Sequence, residues 1–253
     1  ERLGERAAWP AYRALFAEWL VFESTEAVLS QVLPRLMPGC GAAAFHGLIR
    51  TAYAVQAAHA GELADALAYW ACRHLPLGAA PGGRQKDPSV LLPVLEAALE
   101  GRASGPGLIV DHMREVAALP GIARAAARLR VHEGTLPALA RQAAGLYARS
   151  GDFTALHLVT SAHALRTLLP CVDDPAVAVG FYWRAFAAAW GAQGAQAEVP
   201  TEARDWPSLV AAAVASDDEH VIKLVDSCRE EERAYGGDDW RLAASRAVAQ
   251  ART

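Results

Sequence analysis

Gly151-Asp152-Phe153-Thr154-Ala155-Leu156-His157-Leu158-Val159-Thr160-Ser161-Ala162-His163-Ala164-Leu165-Arg166 is an apolar run without the period-two alternation of a strand, and it reads as a helix over residues 152–169. Outward from it the chain keeps the same character. Alanine, leucine and arginine dominate, glycine and proline fall in clusters, and no window alternates Val, Ile or Thr with polar residues. Asp87 before Pro88 and Asp174 before Pro175 each set a capping acceptor beside a proline at a first helical position. Helices are expected near 9–33, 42–58, 62–74, 87–100, 111–130 with a break at Pro120–Gly121, 135–149, 152–169, 175–193, 206–215, 217–234 and 238–252. With 253 residues and 53% apolar composition, the chain can bury a large core. The expectation is an all-α fold, a single multi-helix domain over 1–253.

Several function classes are excluded early. The net charge of −4, with both signs interspersed, offers no basic stripe for nucleic acid and no polybasic patch for an anionic membrane. No uncharged apolar run reaches the length of a membrane span, so a soluble, cytoplasmic protein is expected. Cys40, Cys72, Cys171 and Cys228 form no CxxC pair and read as reduced, mostly buried thiols. No GxGxxG motif follows a strand, there is no phosphate-binding loop of the P-loop kind, and no fixed-period repeat recurs. Leu77–Lys86 and Gly101–Gly107, rich in glycine and proline, are loops, either of them a candidate lid over a site.

Chemistry concentrates in three segments. In Ser216-Asp217-Asp218-Glu219-His220-Val221-Ile222-Lys223, Ser216 and Glu219 form a capping box that puts His220 just inside a helix and Lys223 one turn on, on the same face. Val221, Ile222, Leu224 and Val225 make that helix apolar nearly all round, as a buried helix would be. Only Lys86 and Lys223 are lysine in a chain whose default cation is arginine. A buried amine can lose its proton and add carbon dioxide, giving a carbamate that is an anionic metal ligand. Alternatively Lys223 reaches solvent or pairs with Asp226 or Glu219.

His157 lies in the apolar run that opened this reading, where an imidazole needs a partner or a metal to offset desolvation. His163, six residues on, is about 240° round the helix, so the two do not readily share an ion. Each is either a ligand or a hydrogen-bonded core histidine. His46, in Phe45-His46-Gly47-Leu48-Ile49-Arg50, sits in a similar apolar context. Gly47 is costly inside a helix, and close approach of a backbone or ligand would explain it. Arg50, one turn later, either orients an anionic or quinone-type substrate or pairs with a carboxylate. His59, His74 and His132 lie near helix ends and read as solvated, while His112 after Asp111 is a minor ligand candidate. Histidines and a lysine on separate apolar helices fit the way helical bundles build interior metal sites. An imidazole-rich set with one anionic oxygen suits iron, with zinc, copper and nickel open.

FHGLIRTAYAV with GELADALAYWA, FTALHLVTSAHALRTLLP and DDEHVIKLVDSC, in this order and spacing, resemble the questin oxidase-like family. The resemblance runs from about Trp9 to Arg233. It implies a non-haem iron oxygenase acting on an anthraquinone or related aromatic polyketide with dioxygen, by oxygen insertion or carbon–carbon ring cleavage. It implies His46, His157 and His220 as imidazole ligands and a carbamate on Lys223 as the fourth. The family's further histidine is expected in an Asn-His segment N-terminal to Trp9; no match stands there, and the chain begins at Glu1 rather than Met, so part of the family domain is expected upstream. Either that upstream part carries it, or His163 or His112 substitutes within this chain, or the metal site is incomplete. NADPH enters by resemblance only. The rival readings are another helical enzyme or a non-catalytic helical module for a hydrophobic ligand or partner protein. An HD-type phosphohydrolase needs His-Asp where this chain has Asp111-His112, and Asp217-Asp218-Glu219 is too short for a terpene synthase motif. The module predicts that residues 46, 157, 220 and 223 scatter; the oxygenase predicts that they gather.

Overall fold

The computed structural model describes residues 2–79, 85–99, 107–193 and 202–251. Among them the chain forms α1 (Trp9–Phe22), α2 (Thr25–Leu36), α3 (His46–Gln56), α4 (Ala60–Arg73), α5 (Pro88–Ala97), α6 (Ile109–Ala117), α7 (Pro120–Ala126), α8 (Thr135–Ser150), α9 (Phe153–Leu168), α10 (Pro175–Ala192), α11 (Trp206–Ser216), α12 (Glu219–Tyr235) and α13 (Asp239–Gln250), and no strand. The helix α9 is the hub. Asp152 caps it, its carboxylate accepting from the amides of Thr154 and Ala155 at 2.8 and 3.0 Å. With apolar side chains on every face, α9 has to be surrounded, and α3, α8, α10 and α12 pack around it. α10 is its buried neighbour, where Tyr182, Phe186 and Trp190 at i,i+4 spacing pack ring on ring with centroids 5.8 Å apart. α1 and α4 pair on one side and α8 with α13 on another, all sharing one hydrophobic core.

The prolines at 88, 120 and 175 each start a helix, as expected. Four readings need correction. The helix expected over 9–33 is two, because the Ser24 hydroxyl accepts from the Ala27 amide at 3.2 Å and restarts the chain as α2. The helix expected from 42 begins at His46, because Ala43, Ala44 and Phe45 are all left-handed, with φ of 48°, 56° and 66°. Ser216 is no N-cap: its hydroxyl bonds back to the Ala213 carbonyl at the end of α11, and Asp218 caps α12 through the His220 amide at 2.8 Å. Finally, α12 is amphipathic rather than buried all round. Leu224, Val225 and Cys228 face the core, while Ile222 is 40% exposed.

Cys40, Cys72, Cys171 and Cys228 are free thiols, all but Cys171 buried. Among the described residues no helix is long and apolar enough to cross a membrane. Of the two expected loops, residues 80–84 and 101–106 lie outside the described residues.

Candidate metal centre

His46 is the first residue of α3, and the left-handed turn before it swings the Ala43 carbonyl back onto its ring, where Nδ1 donates at 2.5 Å. His157, one turn into α9 and 2% exposed, donates from Nδ1 to the Phe153 carbonyl at 2.7 Å. His220, at the second position of α12, presents Nδ1 to the Asp218 carboxylate at 3.4 Å. Carbonyl and carboxylate oxygens only accept. The Nδ1 atoms of His46 and His157 therefore carry the hydrogen, and Nε2 keeps the lone pair a metal would need. Backbone or carboxylate anchoring of the far nitrogen is how metal-binding imidazoles are usually oriented.

The three rings converge. One nitrogen from each lies within 4.8 Å of the other two, the one such group of three found among the described residues. The His46 and His157 centroids are 4.9 Å apart and those of His157 and His220 6.1 Å. Metal–nitrogen bonds of about 2.0–2.1 Å set neighbouring ligand nitrogens about 3–3.5 Å apart, so an ion would draw the rings slightly inward. Protonation state also suits ligation. Burial lowers the His46 imidazole from its ordinary value and brings His157 down to about 4, keeping both neutral near pH 7. The donor set and its charge state fit a divalent transition ion.

Lys223 stands one turn beyond His220, close enough for its charge to act on His46 and His157. Its amine pairs with Glu219 at 2.5 Å and its side chain is 34% exposed, so the buried, desolvated amine of the sequence reading is replaced by an ion-paired one. Arg50 is not at the centre. It is exposed, and its guanidinium lies over the Tyr69 ring at 5.0 Å, because a long cation on an outer helix face gains more from water and an aromatic face than from burial. Nor does His163 join the three. It is 1% exposed, with Nδ1 on Glu231 at 2.9 Å and Nε2 facing the Gln56 amide at 3.0 Å, so both ring nitrogens are engaged elsewhere, as its angular offset from His157 required.

Gly47 is explained by a side chain rather than a ligand: a Cβ there would lie 2.6 Å from Trp70 Cγ. His59 caps α4 and His132 lies beside Asp87, as helix-end residues. His74, expected to be solvated, is half-buried and helps line a cavity of about 450 Å³ that reaches His46 and His157. Ala43, Ala44, Leu108, Ile109 and Phe153 supply its apolar lining. Phe153 also stands edge-on to both His157 and His220, with centroids 4.8 and 5.0 Å away. The sequence reading gave Phe153 and Asp218 no role at the centre, although the spacings Phe-x-x-x-His and Asp-x-His are visible signals of an anchor one turn or two residues before a candidate ligand.

A family model described as Questin oxidase-like matches residues 1–228. The chain belongs to the Questin oxidase-like family. No curated protein matches it. The Questin oxidase-like match contains all three converging histidines and Lys223, together with every residue lining the cavity, and ends inside α12. The helices that build the centre are thus Questin oxidase-like helices, and α13 lies beyond the match.

Proposed function

We propose that this protein is an oxidoreductase that holds a divalent transition metal, ferrous iron in the first place, on His46, His157 and His220, and oxidises an aromatic polyketide or quinone-like substrate seated in the adjoining cavity. The observation that carries the reading is the convergence of three imidazoles from three helices, two of them with Nδ1–H on a backbone carbonyl. A scatter of these residues, as a non-catalytic module would have, is not what the fold builds. Membership of the Questin oxidase-like family supports an oxidoreductase acting on a polyketide substrate. Lys223 is proposed as a further ligand after carbamylation: its neutral amine forms an N–C bond to carbon dioxide and releases a proton, leaving an anionic oxygen donor. That step requires Lys223 to leave Glu219.

The ion, when bound, would supply activation of dioxygen. The chain's own contribution is positional. Ala43, Phe153 and Asp218 fix the ring planes, and the apolar lining receives a flat aromatic body and keeps water from it.

Metal analysis of protein purified anaerobically with ferrous iron and bicarbonate is the test. One metal per chain is expected in the parent and less than a tenth of that in His157→Ala with the fold intact by circular dichroism; an empty parent, or a variant that loads as well, would overturn the reading. Lys223→Arg is expected to lose metal, and full iron content with activity in that variant would remove the carbamate alone. Whether one or both atoms of isotope-labelled dioxygen enter the product then separates a monooxygenase from a dioxygenase, and oxygen consumption with and without NADPH shows whether an external reductant is used.

A further inference from the structure

We infer that the substrate carries an anionic group, a carboxylate or an ionised phenol, which the guanidinium groups of Arg6, Arg73 and Arg114 hold in the cavity beside the three histidines. This rests on the proposed function insofar as it takes that cavity to be the substrate's seat.

The charge of the lining is the argument. The chain as a whole is acidic, with 28 Asp and Glu against 24 Lys and Arg. Yet the cavity is lined by three arginines and by no aspartate or glutamate among the described residues. The arginines come from separate places: Arg6 from the 3₁₀ turn before α1, Arg73 from the last turn of α4 and Arg114 from α6. The N-terminal segment that carries Arg6 is tied down, the Gly4 amide donating to the Ala71 carbonyl at 2.8 Å.

Their pairing points the same way. Arg114 bonds Asp111 at 2.8 Å, which meets part of its charge. Arg73 lies over the Tyr69 ring at 5.3 Å, and neither Arg73 nor Arg6 has a carboxylate partner among the described residues. Arg6 and Arg73 therefore line a concave, largely apolar space with positive charge that no carboxylate among the described residues meets, and Arg73, one turn after Tyr69, can swing from that ring to the cavity. There the field is focused and a planar fork matches a carboxylate best. The volume of about 450 Å³ lies within the ~300–1,000 Å³ of small-molecule sites, room for a fused aromatic body with its acid group. The sequence reading had placed this role on Arg50, which faces outward; the cavity transfers it to residues that no motif marked.

The experiment uses metal-free full chain, so that no ion competes for the acid group, and two probes of nearly equal shape: anthraquinone-2-carboxylate and its neutral 2-hydroxymethyl analogue. Binding is followed by quenching of tryptophan fluorescence. The carboxylate is expected to bind about tenfold or more tightly than the neutral probe. That preference is expected to shrink at high salt and to collapse in Arg73→Gln and in Arg6→Gln/Arg114→Gln, each variant checked for an unchanged melting temperature. Arg73 is half-buried, so the Arg6/Arg114 pair, both exposed, keeps the test decisive should the Arg73 variant not fold. Equal affinity for the two probes, a preference that survives in the arginine variants, or binding of neither would each overturn the proposal. Metal content of the loaded protein is measured separately, so a failed anion preference in a protein that holds its metal leaves the oxidase reading standing.

Discussion

At the scale of single residues, the costliest feature is the run Ala43, Ala44, Phe45, three consecutive non-glycine residues in left-handed backbone. Each such residue costs on the order of 1 kcal/mol, and a run of them persists only where the surroundings hold it. Here the run turns the Ala43 carbonyl onto His46 and puts Ala43 and Ala44 against the cavity. Ala43→Gly removes the strain without removing the carbonyl, so the melting temperature is expected to hold or rise by up to about 3 °C. The metal affinity is expected to fall several-fold, since the carbonyl then wanders. A lower melting temperature in that variant would mean that the turn is not strained at all. Of the candidate centre, His46 and His157 stood out by their apolar surroundings, which His163 shares; the family resemblance, not the residues alone, picked them out together with His220. The carbonyl of Ala43 carries no side-chain signature, the spacings Phe-x-x-x-His and Asp-x-His are the one trace the other two anchors leave, and Arg6, Arg73 and Arg114 are too far apart in the chain to read as a group.

At the scale of elements, helix starts marked by Asp-Pro were readable, and so was the break at Pro120 after Leu119, because a proline cannot continue a helix but suits its first position. Ends set by Ser24 or by left-handed alanines were not. Alanine is the best helix former and nothing local announces that tertiary packing will force it positive. The reason the chain turns there lies one helix away: α3 must approach α4 closely enough for Trp70 to lie against Gly47, and the indole Nε1 then donates to the Gly39 carbonyl at 3.2 Å. Gly47→Ala would place a carbon 2.6 Å from Trp70 Cγ, a clash the packed core cannot absorb. Destabilisation of about 1–3 kcal/mol is expected in chemical denaturation. Pairing it with Trp70→Leu should cost clearly less than the sum of the two single changes, the sign of a shared contact. Strict additivity would show that α3 and α4 do not meet through this pair.

At the scale of the whole molecule, the three helices that carry His46, His157 and His220 are joined a second time by a polar network in the core. Glu231 of α12 accepts from His163 Nδ1 at 2.9 Å and from Arg166 Nε at 2.6 Å, both on α9, while Gln56 of α3 meets the other side of His163 at 3.0 Å. Tyr53 of α3 adds a bond from its hydroxyl to the Lys223 carbonyl at 3.1 Å. His163 and Glu231 are each 1% exposed, so this is a buried polar network whose value depends on every member being present. Removing one partner of a buried pair costs about 3–5 kcal/mol, less where the survivor can reach water, and Arg166 is 30% exposed. Glu231→Gln should therefore destabilise by about 2–3 kcal/mol, a drop of roughly 4–12 °C in melting temperature for a chain of this size. Replacing both His163 and Glu231 by leucine removes the buried imidazole left unpaired and leaves Arg166 and Gln56, which reach solvent, to water, so much of the loss should be recovered. If the network also sets the spacing of α3, α9 and α12, the metal affinity should fall in Glu231→Gln. It should stay low in the double leucine variant even though stability returns, because apolar packing restores the core but not the register that hydrogen bonds impose. Parent-like metal affinity in both variants would confine the network to stability and leave the alignment of His46, His157 and His220 to their own backbone anchors.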